Sequence, residues 1–488
     1  MSQEPRPETG NEDIRAALRA LPSVSALLSC APVAEQAELL GAPAVTDAVR
    51  AELDAERDRI RSGVASRTQA ELAVAAAHRA SRMSLPSLRR AVNATGVIVH
   101  TNLGRAPLAP QAVDRLVDVA SGYSTLEYDT AACTRGNRRL HAVDALRRLT
   151  GAEDALVVNN NAAAVMLVLS TLAAGREVIV SRGELVEIGG SFRIPDVMAL
   201  SGCRIVEVGA TNRTHLSDYE RAITDDTALI LKVHPSNYRV EGFHEEVSCK
   251  ELAQLAHSRG IMLYEDQGSG ALVPDDLFRR GGERLSCEPL HEGADVVSCS
   301  GDKLLGASQA GIILGSHATI DACGHHPLMR AVRPDKLTLA ALEATLDIYL
   351  RGEDVARAQV PALSMLFADS DELRDRAERL AAAMREALGT AGLSNAASVS
   401  VRKDVSAPGG GSLPTTELPS FAVAVSPHDR SAADVHRALV QEPDVPVVTR
   451  VCDGVVLFDV RTLVRCDDGE LAVAALVSCL GEGGADGR

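Results

Sequence analysis

The stretch ADVVSCSGDKLLGASQAGIILG (294–315) decides the architecture: an apolar run, ADVVS (294–298), a turn of small residues around Lys303, and a second apolar run, GIIL (311–314). Short apolar runs bounded by small residues read as buried strands. Upstream, the same texture recurs in ALVV (155–158), EVIV (177–180), RIVEV (204–208), ALILKV (228–233) and IMLY (261–264), with helical segments between. Such alternation from about Ala91 to Gly315 predicts an α/β fold, a mostly parallel sheet flanked by helices on both faces. Ligands of such sheets bind beyond the carboxyl ends of the strands. Lys303 falls at one of those ends.

The flanks differ from this centre. Residues 11 to about 85 carry apolar positions at helical spacing, punctuated by Pro22, Pro32, Pro43 and Pro86, and predict an N-terminal helical domain. After Gly315 come a helix over Leu337–Tyr349, a charged helix DELRDRAERLAAAMREAL (371–388), and a loop, APGGGSLPTTELPS (407–420), whose composition is that of a flexible linker. The strand-like runs FAVAV (421–425) and GVVLFDV (454–460) complete a smaller C-terminal α/β domain. At 488 residues the chain exceeds one ordinary domain, and the expected division is 1–85, 86–345 and 346–488.

The polar start MSQEPRPETGNED and the lack of any run of 18 uncharged apolar residues predict a cytoplasmic protein outside the membrane. Ten cysteines without metal-ligand spacing predict free thiols, no metal and no disulfide. A net charge of −16 counts against a polyanionic partner. Locally the balance reverses: Arg57, Arg59, Arg61, Arg67, Arg79, Arg82, Arg89 and Arg90 face only Asp58 and Glu71 within 57–90. That stretch is either a basic stripe or a solvated helix face.

Of 50 basic residues only five are lysine: Lys232, Lys250, Lys303, Lys336 and Lys403. An imine-forming lysine must lose its proton at a ligand site, and Lys303 is the one that follows a strand among small residues. Asp266, ending IMLYED, would project from the same sheet edge, as a carboxylate holding the pyridine nitrogen of pyridoxal 5'-phosphate protonated requires; a helix-capping aspartate is the competing role. Asn159, Asn160 and Asn161 run from a strand into a helix, a polar turn suited to a phosphate, with Ser300 as a further donor. His234 and Asn237 lie at another strand end, where ring contact and ordinary turn roles are equally open. Arg105, Arg135, Arg138, Arg139, Arg330 and Arg333 offer planar forks for anions.

These residues sit in segments that resemble bacterial selenocysteine synthases, the L-seryl-tRNA(Sec) selenium transferases. The resemblance runs through LPSV (21–24), NATGVIVHTNLGRAPL (93–108), VVNNNAAAV (157–165), SRGELVEIGGSFRIPDVM (181–198), SNYRVEGFHEEVS (236–248), EDQGSGAL (265–272), SGDKLLG and QAGIILG (300–315), HPLMRAVRPDKLTLAALEATL (326–346), GGGSLP and ELPS (409–420), and RTLV (461–464). It implies a fold-type-I enzyme with pyridoxal 5'-phosphate on Lys303, Asp266 at the ring nitrogen, Asn160 and Asn161 in the phosphate turn, and Asp302 assisting the lysine. It further implies that Arg105, Arg330 and Arg333 line a site for selenophosphate, that the N-terminal helices recognise seryl-tRNA(Sec), and that the chain forms a homo-oligomeric ring of dimers. The implied reaction removes the serine β-hydroxyl and adds selenium at the β-carbon. Ala307 and Ser308 depart from the family's usual Gly-Pro, and no aromatic residue for stacking on the ring is evident. Two rivals are a lyase acting on a small, possibly phosphorylated, amino acid and a non-catalytic tRNA-binding scaffold; the helical N-terminus argues against the first, and Lys303, Asp266 and the Asn turn together against the second.

Overall fold

The structure, a computed structural model, describes residues 9–185, 187–188, 192–240 and 242–481. The packing divides the chain into two compact units, one reaching to Ala91 and including 440–446, the other made of 92–439 and the chain from Val447. The first eight and last seven residues of the expected terminal domains lie outside the described residues.

The first unit is helical: Thr9–Ala20, Val24–Leu28, Ala31–Leu40, Ala42–Arg61 and Gln69–Ser84. Pro32 and Pro43 stand in first turns, where a missing N–H costs nothing, and Thr68 with Glu71 caps the last helix reciprocally. Leu27, Val33, Val45, Val49, Leu53, Leu72 and Ala76 form its core. Beside that core lie two buried acids. Glu52 accepts from Arg67 at 2.7 Å and from Arg79 at 2.6 Å, and Glu56 from Arg67 at 2.8 Å and Arg59 at 3.1 Å. Several arginines of the expected basic stripe are therefore engaged within the unit.

The second unit is built on seven strands: β1 (Asp154–Val158), β2 (Glu177–Ser181), β3 (Arg204–Val208), β4 (Thr227–Val233), β5 (Met262–Gly268), β6 (Val296–Ser300) and β7 (Gly311–Gly315). Each covers one of the apolar runs read from the sequence. Their order is β1-β7-β6-β5-β4-β2-β3, parallel except for β7, which is antiparallel to β6 and β1. Alternate residues enter two separate cores: Val157, Ile179, Ile230, Leu263 and Val297 on one face, Leu156, Val178, Leu229, Tyr264 and Val296 on the other. Both faces are covered, which is why these strands read as continuous rather than alternating apolar runs.

A second sheet takes its strands from distant parts of the chain, in the order Arg450–Cys452, Val455–Asp459, Leu418–Pro427, Ala397–Gly409, Val97–Val99. Two observations bear on the expected domain limits: Val97–Val99 joins this C-terminal sheet, and residue 345 lies inside the helix Lys336–Leu350. The loop read as a linker also differs. Its first residues, up to Gly409, belong to the 13-residue strand Ala397–Gly409, its last, from Leu418, to the strand Leu418–Pro427, and between them Gly411 lies against Lys303.

Candidate active site

The parallel strands deliver their carboxyl ends to one edge of the sheet, and a cavity of about 300 Å³ opens there. It is lined by Arg105, Asn160, Asn161, His234, Asp266, Ser300 and Lys303, with Ala162, Val233, Ser236, Gly268 and Gln309. Pairing of β4 with β5 sets Val233 beside Asp266, and pairing of β5 with β6 sets Asp266 beside Ser298.

Lys303 is buried. Burial, then the Arg105 cation, pushes its ammonium below the usual lysine range, against the pull of Asp266, Asp302 and Glu283. Lys232, also buried, shows the opposite outcome: burial disfavours its charge, but Glu184 at 3.1 Å and Glu246 at 3.6 Å outweigh that and hold it above the usual range. Lys336 donates to the carbonyls of Val119 and Gly122, while Lys250 and Lys403 are exposed. Lys303 is thus the lysine of this cavity and the one shifted toward the free amine that nucleophilic attack needs.

Asp266 is buried and accepts at Oδ1 from Asn161 Nδ2 at 2.8 Å and Ser298 Oγ at 3.0 Å. Burial raises its pKa, and those two hydrogen bonds, Lys303 and His234 act against the rise. It is not a helix cap: it lies within β5. Asn161 opens the helix that follows the Asn turn, and its side-chain amide nitrogen also reaches across to Asp266 and orients that carboxylate. Asn160 caps the helix Asn161–Leu172, accepting from Ala163 N at 2.8 Å. Asn161 Nδ2 and Asn160 Oδ1 are thus engaged locally while Asn161 Oδ1 is buried without a hydrogen-bond partner, and the turn offers an anion the backbone N–H groups of the helix's first turn.

Ser300 lines the cavity. Its hydroxyl donates to Asp302 Oδ1 at 2.7 Å, and a hydroxyl has a single proton to donate, so toward the cavity it presents lone pairs. Asp302 also accepts from Arg105 Nη1, at 3.1 Å to each oxygen. Arg105 holds a left-handed backbone, φ 63°, a conformation that costs a non-glycine residue roughly 1 kcal/mol or more and concentrates at functional sites.

Of the three arginines expected to share one anion site, only Arg105 lines the cavity. Arg330 is exposed on the short helix Met329–Val332, and Arg333, just beyond it, stands 3.9 Å from Glu127. Arg138 also pairs with Glu127, at 2.8 Å. Asn237 is absent from the lining. At His234 the ring Nε2 meets the Gly282 carbonyl at 3.0 Å, so that nitrogen carries a proton. Buried Nδ1 has no hydrogen-bond partner. The turn after Lys303, where Ala307 and Ser308 replace Gly-Pro, is pinned by hydrogen bonds: Ala307 N to Gly301 O at 2.8 Å, Gly301 N to Ala310 O at 2.9 Å, and Ser308 Oγ to Thr338 O at 2.9 Å.

Three contributors were not singled out as site residues from the sequence. Ser298 precedes Lys303 within an apolar strand. Glu283 lies in a GGER turn. Gly411 lies in the loop read as a linker, yet a Cβ there would stand 2.5 Å from Lys303 Nζ.

With the geometry in place, comparison with known proteins is decisive. The L-seryl-tRNA selenium transferase family model matches residues 91–464, and the selenocysteine synthase N-terminal model matches residues 18–57. The chain belongs to the L-seryl-tRNA selenium transferase family. It is 52% identical to the L-seryl-tRNA(Sec) selenium transferase of Moorella thermoacetica over 83% of each chain. With the enzyme of that name from Solidesulfovibrio magneticus the identity is 48%, over 94% of this chain and 97% of that one. Among solved structures, D-glucosaminate-6-phosphate ammonia-lyase shares the fold, with a TM-score of 0.55 and 22% identity over 82% of this chain and 97% of that one. The fold-type-I architecture expected from the sequence is the one found.

Proposed function

We propose that this chain converts seryl-tRNA(Sec) to selenocysteinyl-tRNA(Sec), replacing the serine β-hydroxyl by selenium from selenophosphate, with pyridoxal 5'-phosphate as cofactor. The observation that carries this reading is one cavity in which Lys303, Asp266 and the start of the helix Asn161–Leu172 converge, in a chain of this family.

The residues present fit the cofactor. A lysine shifted toward its free amine would carry the aldehyde, a buried carboxylate would face the ring nitrogen, and a helix N-terminus would receive the phosphate. Two buried polar atoms without partners, Asn161 Oδ1 and His234 Nδ1, leave hydrogen-bonding capacity at the cavity wall. Bound there, the cofactor supplies an electron sink for charge developing at the substrate's α-carbon.

Lys303, the amine lining the cavity, would be the base positioned to remove the substrate's α-proton and to return one. Asp266, buried and hydrogen-bonded in its ionised form, would hold the ring nitrogen charged. Arg105, fixed by Asp302, presents a cation for the donor's phosphate and holds it near the β-carbon. Arg330 and Arg333, outside the cavity lining, complete that anion site within a homo-oligomeric ring of dimers. The helical segment 1–85 recognises tRNA, 86–345 carries the cofactor, and 346–488 forms the smaller C-terminal domain. No helix among the described residues is long and apolar enough to cross a membrane, which is compatible with action in the cytoplasm.

The test is the visible absorbance of the purified protein after reconstitution with the cofactor, for the unaltered chain and Lys303→Ala, with seryl-tRNA(Sec) or free serine added. A band lost in the variant and perturbed only by seryl-tRNA(Sec) is expected. A band responding to free serine instead points to a small-molecule lyase, and no band at all leaves the scaffold.

A further inference from the structure

Glu283 is a buried carboxylate that the reaction does not use. Its Oε1 accepts from Ser269 Oγ at 2.5 Å and Gln267 Nε2 at 3.1 Å, and its Oε2 accepts from the backbone N–H of Leu413 at 3.1 Å. The same Oε1 is 3.9 Å from His234 Nδ1. Burial of a charge is tolerated only when its lone pairs are used, and here all the donors belong to segments around the cavity.

Two of those segments bear directly on Lys303. Ser269 accepts the Leu304 N–H at its backbone carbonyl, at 3.0 Å, which fixes the chain beside the lysine. Leu413 ends the glycine run Gly409–Gly411 and Ser412, whose backbone passes over the lysine side chain: a Cβ on Gly411 would lie 2.5 Å from Nζ and 2.7 Å from Cε. This strap is held in unfavourable backbone geometry, with φ 47° at Leu413 and 64° at Thr415, so something must over-determine it. The Leu413 side chain contributes by packing with Ile98, Phe278 and Leu304. A hydrogen bond to a charged acceptor supplies the rest.

We propose that Glu283 is a positioning residue of this site, a single carboxylate that clamps the glycine strap 409–413 over Lys303 and fixes the strand end beside that lysine. It acts through Ser269 and Leu413 and touches no reacting atom. The inference rests on Lys303 being the cofactor lysine, but its test uses neither cofactor nor tRNA.

In the cofactor-free full-length protein, Lys303 is labelled with trinitrobenzenesulfonate, its rate read by peptide mapping, and hydrogen exchange is followed across 407–418. Glu283→Gln, which keeps the shape but removes the charge, is expected to raise the Leu413 exchange rate about tenfold, as loss of one hydrogen bond to a charged acceptor predicts, with the melting transition little changed; Lys303 labelling also rises, in part because a carboxylate that favours its ammonium is gone, so the exchange rate is the deciding readout. Gly411→Ala, which displaces the strap while leaving Glu283 intact, is expected to raise labelling in the same way. A folded Glu283→Gln protein with unaltered exchange at Leu413 overturns the proposal, whatever its Lys303 labelling and whatever Gly411→Ala does. Should Glu283→Gln not fold, exchange in the unaltered protein decides: a Leu413 amide as slow as the neighbouring strands upholds the clamp, and one exchanging at the rate of an unstructured peptide ends it. Failure of the transferase reading would appear only in the cofactor and seryl-tRNA assays and would leave these rates untouched.

Discussion

At Asp266 the chemistry asks for a charge where burial opposes one. The surrounding donors, Asn161 at 2.8 Å and Ser298 at 3.0 Å, stabilise the ionised form that desolvation alone would neutralise. Asn161→Ala therefore raises the Asp266 pKa further. Because the charged form is lost as pH falls through the folded-state pKa, cofactor affinity in the variant begins to fail at a higher pH than in the unaltered chain, and at neutral pH it is about tenfold weaker. Absorbance titrations of the apo-protein with cofactor at several pH values measure both; coincident pH profiles would contradict the assignment. Lys303 has the complementary prediction. Burial and then Arg105 depress its pKa, and Arg105 also neutralises Asp302. Arg105→Gln removes a nearby cation and uncovers an anion, so both changes favour the ammonium. The pH midpoint for labelling Lys303 in the apo-protein moves upward, and a downward or absent shift would refute the electrostatic account.

At the scale of elements, the turn of Asn residues depends on the one antiparallel strand. Gly311 opens β7 against the Asn160 carbonyl so closely that a Cβ would overlap it. Gly311→Ala must displace the turn that caps the helix Asn161–Leu172. Its expected effect is a cofactor affinity reduced more than the melting temperature, checked by the same titration beside calorimetry. The strands were legible because two-sided burial makes each an apolar run, and Lys303 and Asp266 were legible because each follows such a run at the ligand edge. Other parts gave no such signal. The strand Ala397–Gly409, ASVSVRKDVSAPG, mixes exposed polar and charged residues with few buried ones and ends in glycine and proline, so its texture is that of a linker. Glu283 and Gly411 meet Lys303 only through tertiary folding, from segments whose local composition says turn. Arg330 and Arg333 were read from the sequence as two of six anion-binding candidates, only the resemblance grouped them with Arg105, and neither lines the cavity.

For the whole molecule, the proposed tRNA role of an acidic chain turns on the N-terminal arginines, which fall into two kinds of ion pair. Arg67 and Arg79 serve the buried Glu52 and Glu56. Although burial opposes it, these arginines hold both glutamates below their usual range. The stabilisation is present above the unfolded pKa, about 4.3, and is lost as pH falls through the lower folded value. Arg57 and Arg61, in contrast, pair with exposed Asp54 and Asp58, contacts worth about 0–1 kcal/mol that a phosphate can replace. The two classes must then separate experimentally. Arg67→Ala lowers the melting temperature of the helical unit, by the loss of roughly 1–3 kcal/mol once partial exposure is discounted, and leaves the salt dependence of tRNA binding unchanged in whatever protein remains folded. Arg57→Ala and Arg61→Ala leave the melting temperature alone, and each lowers the slope of log affinity against log salt by about 0.7–0.9 if it meets a phosphate. Binding isotherms of seryl-tRNA at several salt concentrations, beside calorimetry of the same proteins, distinguish these outcomes. If the exposed arginines change no slope, the tRNA surface lies elsewhere and the 57–90 stretch is a solvated helix face.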